Sequence, residues 1–327
     1  MNLKEFNNKL FEIIDQHDSF LLTTHENSDG DGIGAEIAFY IFLKSINKDV
    51  HIINQEKPAQ MYTFLSSTGK IKTSYDLNLV QDDTVIFMLD YNEISRIGDQ
   101  LGYLLELPNL KIRIDHHKRP ERISHCISYI DDVASSTCEM VFYILYDYLD
   151  ELDENLRRDI VTALYTGIIF DTNNFVNKNV SSQTFRACAA LKDMGVDTTD
   201  CYLRIFENRS TLELKLLGLT LSSIEEFDEG RLVFYYTTQQ ILSKCGQSID
   251  ITEGFSKDVK PSNGRDVTVY IREVGHHLYR VSLRSSHLDV QKVAEHFGGG
   301  GHKLASGFQT QMSLKDLKNV LLEKLAT

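Results

Sequence analysis

The stretch His25-Glu26-Asn27-Ser28-Asp29-Gly30-Asp31-Gly32-Ile33-Gly34-Ala35-Glu36 constrains this chain more than any other. The apolar run Phe20-Leu21-Leu22-Thr23-Thr24 leads into it, and an apolar-rich helical pattern from Ile33 to Ile46 leads out. A strand therefore enters a glycine-rich loop, and the loop opens a helix. In an open α/β sheet such a loop lies at the carboxyl end of a strand, where ligands bind. Phosphate cradles use Gly-x-Gly-x-x-Gly or a Lys-Ser/Thr ending. This loop has neither, and Asp29 and Asp31 repel phosphate unless a cation lies between. Two residues apart, these carboxylates point to one side of an extended loop. His25 with carboxylates and no thiolate suits Mn, Mg or a related divalent ion. The alternative for the loop alone is a polar turn in which Asp and Gly serve turn chemistry.

Other strand ends bear on that choice. Thr84-Val85-Ile86-Phe87-Met88-Leu89 reads as a buried parallel strand and ends at Asp90. Leu110 to Ile114 is another, ending at Asp115-His116-His117. The pattern from Asn155 to Phe170 is helical and runs into Asp171. His25, Asp29, Asp31, Asp90, His116 and Asp171 are six candidate ligands. With one carboxylate shared they suit two divalent ions about 3.5–4 Å apart, which activate a bridging water and neutralise phosphoryl oxygens during in-line attack. Asp115 is left to orient an imidazole. His117 is left to face a substrate, steadying a phosphoryl group or protonating a leaving oxygen. Asp90, Asp115 and His117 are thus the expected catalytic set. Ser136 and Glu139 have capping-box spacing at the start of a helix reaching about Leu149, and that structural job explains them in full; a phosphate contact at that N-terminus is the lesser alternative.

The remaining elements follow from periodicity. Residues 2–17 have helical spacing, 49–54 read as a strand, 58–65 as a helix, and 182–194 and 211–224 as helices. From Arg231 the texture changes to strands at 232–236, 267–271 and 278–283, the last two joined by the hairpin signal Gly275-His276-His277. A helix at 289–297 precedes Gly298-Gly299-Gly300-Gly301-His302-Lys303. Four glycines disfavour helix and strand alike; they let backbone approach a guest closely, and beside His302 and Lys303 an anion is the natural guest. A hinge is the alternative. A short strand at 306–308 and a helix from about Leu314 finish the chain. The expected fold class is α/β: a parallel-sheet domain at 1–190, a connection at 191–211, and a smaller mixed α/β domain at 212–327.

The chain of 327 residues is long enough for two domains. A net charge of −13 excludes a general basic surface for long nucleic acid. Between Lys257 and Lys303, however, eight basic side chains stand against five acidic ones. A locally basic piece beside an acidic body suits a short anionic substrate. Five scattered cysteines without C-x-x-C fit a reducing cytosol rather than zinc or disulfides. With no signal-like N-terminus and no apolar run near ~18 residues, a cytoplasmic protein without a membrane span is expected.

Asp115-His116-His117, with the blocks before it, resembles the DHH phosphoesterase family, and Gly298–His302 resembles the glycine motif of its DHHA1 domain. The likeness covers nearly the whole chain and is greatest to the short two-domain oligoribonucleases of the nanoRNase A type. It implies a parallel-sheet domain, a smaller mixed domain and a cleft between them. It also implies that His25, Asp29 and Asp90 hold one Mn2+ and that Asp31, Asp90, His116 and Asp171 hold a second, with Asp90 bridging. Arg284 and Ser285 match the family's substrate-binding Arg-Ser. His302 would reach a terminal phosphate or a base, with Gly299, Gly300, Gly301 and Lys303 around it. The activity implied is hydrolysis of very short RNA to 5′-mononucleotides, with 3′-phosphoadenosine 5′-phosphate as a further substrate. Linear or cyclic dinucleotides are the near rival, and a non-catalytic nucleotide-binding protein is the rival of another class. Expected partners are short oligonucleotides or nucleotides, not long duplexes or membranes; a homodimer is left open. Ser28 departs from the family's usual Pro, and Tyr91-Asn92 from its small residues. Pro120 stands where Asn is common and Asn173 where Gly is. None of these removes a ligand.

Overall fold

Phe20, Leu21 and Leu22 are all fully buried, which only a strand covered on both faces achieves. The computed structural model describes residues 1–73, 79–91, 93–118, 121–245, 249–262 and 264–325; Asn92 and Pro120 lie outside these. The chain divides into two compact units, Met1–Asn208 and Arg209–Thr327.

In the first unit, Asn2 caps α1 (Leu3–Gln16) through a capping box with Glu5. β1 (Ser19–Thr23) then leads to α2 (Gly30–Ser45), β2 (Asp49–Ile53) and the two-residue β3 (Ile71–Lys72). β4 (Val85–Leu89), the short α3 (Tyr103–Glu106), β5 (Lys111–Asp115) and β6 (Cys126–Ile130) follow. The six described strands form a sheet in the order β3-β2-β1-β4-β5-β6, all parallel. The chain steps outward from β1 to β3, then returns to β4 on the other side of β1. The order therefore reverses between β1 and β4, and the crevice at their carboxyl ends is where such sheets bind ligands. Edge strand β6 carries mostly half-buried residues; without a continuous apolar run it gave no strand signal. The helix expected over 58–65 is only a 3-10 turn, Gln60–Tyr62.

α4 (Thr137–Leu149) and α5 (Glu154–Asp171) pack with α1 and α2 over one face of the sheet, burying Phe20, Leu22, Phe87, Ile112 and Ile114. Leu21, Ile86 and Met88 face a second cluster with Tyr91, Ile97 and Leu101. α2 is buried almost all round, as a helix apolar on every side must be. It lies so close to α5 that a Cβ on Gly34 would stand 2.5 Å from the Ala163 carbonyl oxygen. At the N-terminus of α2, a Cβ on Gly30 would stand 2.8 Å from Phe170 Cβ, so the C-terminus of α5 is held close there too. α6 (Ser182–Asp193) and α7 (Thr198–Phe206) complete the unit. Residues 191–211, read as a connection, thus include a helix whose Cys201 and Ile205 belong to the first unit's core.

The second unit contains α8 (Thr211–Leu221), β7 (Glu225–Phe227), β8 (Leu232–Thr237) and α9 (Gln239–Cys245). β9 (Val267–Gly275), β10 (Leu278–Ser285), α10 (Val290–His296), β11 (Gly300–His302), β12 (Ala305–Thr310) and α11 (Leu314–Leu325) follow. Its sheet runs β11-β12-β10-β9-β8-β7, antiparallel except for the β8–β9 pair. α10 and α11 cover one face, while Tyr235 and Tyr270 on the other pack under α8, α9 and residues 249–259. The glycine run corrects the sequence reading. Gly300–His302 is a strand after all, paired with β12. Gly299 comes close to the chain itself: a Cβ there would lie 2.2 Å from the Gly307 carbonyl oxygen. Among the described residues, no helix is long and apolar enough to cross a membrane.

Candidate metal centre

The sheet's switch point gathers the expected acids and imidazoles. His25 follows β1, Asp90 ends β4, and Asp115 ends β5 with His116 and His117 beyond it. The Asp29–Asp31 segment is not the extended loop that its spacing suggested. The helix begins at Gly30, and Asp29 is its N-cap, accepting from the Asp31 and Gly32 amides at 3.0 and 3.4 Å. Asp31 lies in the first helical turn, fully buried. Its carboxylate also accepts from the Thr137 and Cys138 amides, at 2.6 and 2.8 Å. Asp31 thus sits against two helix N-termini, whose dipoles favour its charge. Those α4 amides, for which a phosphate contact is the lesser alternative to capping, are occupied by Asp31. The capping box is altered as well: Ser136 accepts from Glu139 N, but Glu139 reaches back to Ser135 and across to Thr184.

Asp171 is the last residue of α5. A carboxylate at a helix C-terminus faces partial negative charge and wants a cation. Asp90 adopts φ 56°, a costly conformation for a non-glycine residue and one that clusters at functional sites. Asn173 has φ 48°, a left-handed conformation that asparagine tolerates better than most residues. Past Asp90, Tyr91 turns into the second cluster and bonds the Ile94 carbonyl at 2.8 Å.

Three groups that could hold a metal ion form among the described residues: His25 with Asp29 and Asp90, Asp31 with His116 and Asp171, and Asp90 with His116 and His117. Asp90 faces both of the first two. Its Oδ2 lies 3.3 Å from His25 Nε2 and its Oδ1 3.6 Å from His116 Nε2, while Thr137 Oγ1 donates to Oδ1 at 3.1 Å. His116 Nε2 is buried without a hydrogen-bond partner. Around it stand Asp90 Oδ1 and Asp171 Oδ2 at 3.6 Å and Asp31 Oδ2 at 3.8 Å. These gaps are too long for hydrogen bonds. They are close to the roughly 3–3.5 Å that separates ligand atoms around one ion with bonds near 2.1 Å. The donor set fits a divalent metal.

Electrostatics agree. Burial, then the charges of Asp90, Asp171 and Asp29, push Asp31 well above the carboxylate range. Burial and then Asp90 raise Asp29. Burial drives Asp171 up to about 6, against the pull of His116. Asp90 alone is held low: burial opposes its charge, but the His25 hydrogen bond and the nearby imidazoles outweigh that. So many acids in one buried place are relieved by positive charge. His117 is separate in role: its Nδ1 lies 2.8 Å from Asp115 Oδ1, and this bond, against burial, raises it to about 9.

Sequence reading missed Thr137, Cys138 and Arg96. The first two act through backbone amides and a hydroxyl at a helix start already read as a cap. Arg96 lies 71 residues along the chain from His25, whose Nδ1 it contacts at 2.9 Å, and no local pattern marks it. The residues expected to bind substrate lie in the second unit. Arg284 and His302 share a cross-strand row through Ala305, which places them on one face of the sheet. Arg284 is half-buried, and Gly300, Gly301, His302 and Lys303 are exposed. Ser285 is buried, and its Oγ accepts from the His287 and Leu288 amides at 3.2 and 2.7 Å, shaping the turn after β10.

A model of the DHH family N-terminal domain matches residues 19–168, and one of the DHHA1 domain matches residues 240–327. The chain carries a DHH domain followed by a DHHA1 domain. As a DHH protein it is a hydrolase of phosphoric ester bonds, in a family that depends on metal ions. It is 28% identical to a bifunctional oligoribonuclease and PAP phosphatase NrnA of Thermus thermophilus, over 88% of this chain and 82% of that one. The protein of the same name from Bacillus subtilis is 23% identical, over 91% of each. An exopolyphosphatase-related protein from Bacteroides fragilis superposes with a TM-score of 0.83 at 25% identity, covering 98% of this chain and 95% of that one.

Proposed function

We propose that this DHH protein hydrolyses very short oligoribonucleotides to 5′-mononucleotides and removes the 3′-phosphate of 3′-phosphoadenosine 5′-phosphate. The observation that carries the reading is Asp90, with one carboxylate oxygen toward His25 and the other toward His116. That is the placement of a carboxylate shared by two ions. His25, Asp29 and Asp90 would hold one, and Asp31, Asp90, His116 and Asp171 the other, with Mn2+ suited to this donor set. Such a pair supplies an acidified water and charge neutralisation at the phosphoryl group. The names of the Thermus and Bacillus relatives support the substrate class.

The chain's own side chains do the rest. Asp115 accepts from His117 Nδ1 and so orients the ring. With its pKa at about 9, His117 stays protonated at neutral pH, with Nε2–H available to a leaving oxygen. Thr137 and Cys138 hold the Asp31 carboxylate in place through their amides. In the second unit, Arg284 and His302 would receive a phosphate or base, with Lys303 and the exposed glycines beside them; Ser285 would shape the turn next to Arg284.

The test is turnover of di- to decanucleotides and of the 3′,5′-bisphosphate with Mn2+, then with chelator. Activity should fall with length. Asp90→Ala should lose more than the roughly 10–100-fold typical of removing an outer-shell partner. Near-normal rates in that variant, or rates rising with length, refute the reading.

A further inference from the structure

We propose that Arg96 is a phosphate-binding residue of the metal centre, its guanidinium poised beside His25 for a phosphoryl oxygen of the substrate. This rests on the phosphodiesterase reading above. Arg96 lies in the 3-10 turn Ile94–Ile97, half-buried, six residues beyond Asp90. Three bonds hold that turn. Glu26 N donates to the Arg96 carbonyl at 2.6 Å, Tyr91 Oη to the Ile94 carbonyl at 2.8 Å, and Ile94 N to Glu121 Oε2 at 2.7 Å. The turn is therefore built against the His25–Glu26 peptide.

The side-chain contact contains a conflict. Arg96 Nη2 lies 2.9 Å from His25 Nδ1, and the same Nδ1 lies 2.7 Å from the Glu26 carbonyl oxygen. His25 Nε2 is the nitrogen on the acid side, 3.3 Å from Asp90 Oδ2 and 3.9 Å from Asp29 Oδ2. If Nε2 gives its lone pair to an ion, Nδ1 carries the proton and donates to Glu26. A guanidinium has five N–H donors and no acceptor. Donor then faces donor, and Arg96 has no acceptor at His25. Among the described residues its side chain makes no other hydrogen bond and no ion pair. A half-buried cation so placed needs an anion, and the reaction brings one. The guanidinium fork matches two phosphoryl oxygens, on which charge builds during in-line displacement. No proton or bond changes hands at Arg96; it binds.

The experiment titrates inorganic phosphate into the Mn2+-loaded full chain by calorimetry, beside a titration of Mn2+ itself. Arg96→Gln should weaken phosphate binding on the order of 10-fold or more, with Mn2+ affinity kept. Arg96→Lys, which retains charge but not the fork, should fall between. A melting curve checks folding, and if the Gln variant melts early, the Lys variant carries the comparison. Phosphate affinity unchanged in a folded variant overturns the proposal. So does a loss of Mn2+ affinity matching the loss for phosphate, since Arg96 would then merely support His25. Phosphate binding is read without turnover, so a chain that cleaved no dinucleotide would count against the substrate reading and not against this one.

Discussion

Glu36→Gln should make the protein more stable at neutral and alkaline pH, by an amount that grows with pH. Glu36 lies on α2, five residues beyond Asp31, with no exposure to solvent. Its Oε2 accepts from Asn54 Nδ2 at 2.8 Å, and its Oε1 has no partner. Burial, against that hydrogen bond, raises its pKa from 4.5 to about 8. Between those values the folded chain keeps a proton that the unfolded chain has lost, so stability falls as pH rises through the window. Each pH unit is worth about 1.4 kcal/mol, and the whole span on the order of 3–5 kcal/mol. Glutamine keeps the shape and the acceptor for Asn54 but has no charge to bury. Near pH 5 the two proteins should differ little; above pH 8 the variant should lead by most of that amount. Urea unfolding followed by circular dichroism at pH 5, 6, 7, 8 and 9 gives the difference directly. A gap that stays constant across this range would show that Glu36 does not hold its proton in the fold.

The other expectations are simpler. Asp171 at about 6 should take up a proton and weaken as a ligand below that pH, so calorimetric Mn2+ affinity should drop between pH 7.5 and 5.5; a flat profile would remove Asp171 from the ligand set. Asp115→Asn should bring His117 down from about 9 toward the ordinary imidazole range. The alkaline limb of the pH–rate profile should move with it, and an unmoved limb would deny His117 the role of acid. Gly299→Ala would push a Cβ to within 2.2 Å of the Gly307 carbonyl and should cost about 1–3 kcal/mol of stability in the second unit. An unchanged melting temperature would mean that β11 and β12 are not held as closely as described.

Much of this was legible in the chain alone. Continuous apolar runs ending on acid or imidazole marked β1, β4 and β5, because parallel strands buried on both faces leave no alternation to misread. His25, Asp90 and His116 could be listed for the same reason, since they follow strand ends, and Asp29, Asp31 and Asp171 because each lies next to an apolar run at the edge of a helix. The hairpin through Gly275-His276-His277 was equally local. What was not legible depended on partners distant in sequence. Edge strand β6 needs β5 beside it. The glycine run becomes a strand only because β12 offers it a ladder, and its missing side chains serve that pairing. The amides that hold Asp31 lie 106 and 107 residues away on α4, and α7 is helical core where the sequence suggested a connection. Residue type and local period tell which groups can bind a metal and roughly where each strand stops; which oxygen of Asp90 faces which histidine is set by how α2, α4 and α5 close over the sheet, since only packing brings groups so far apart in the chain within a few ångströms.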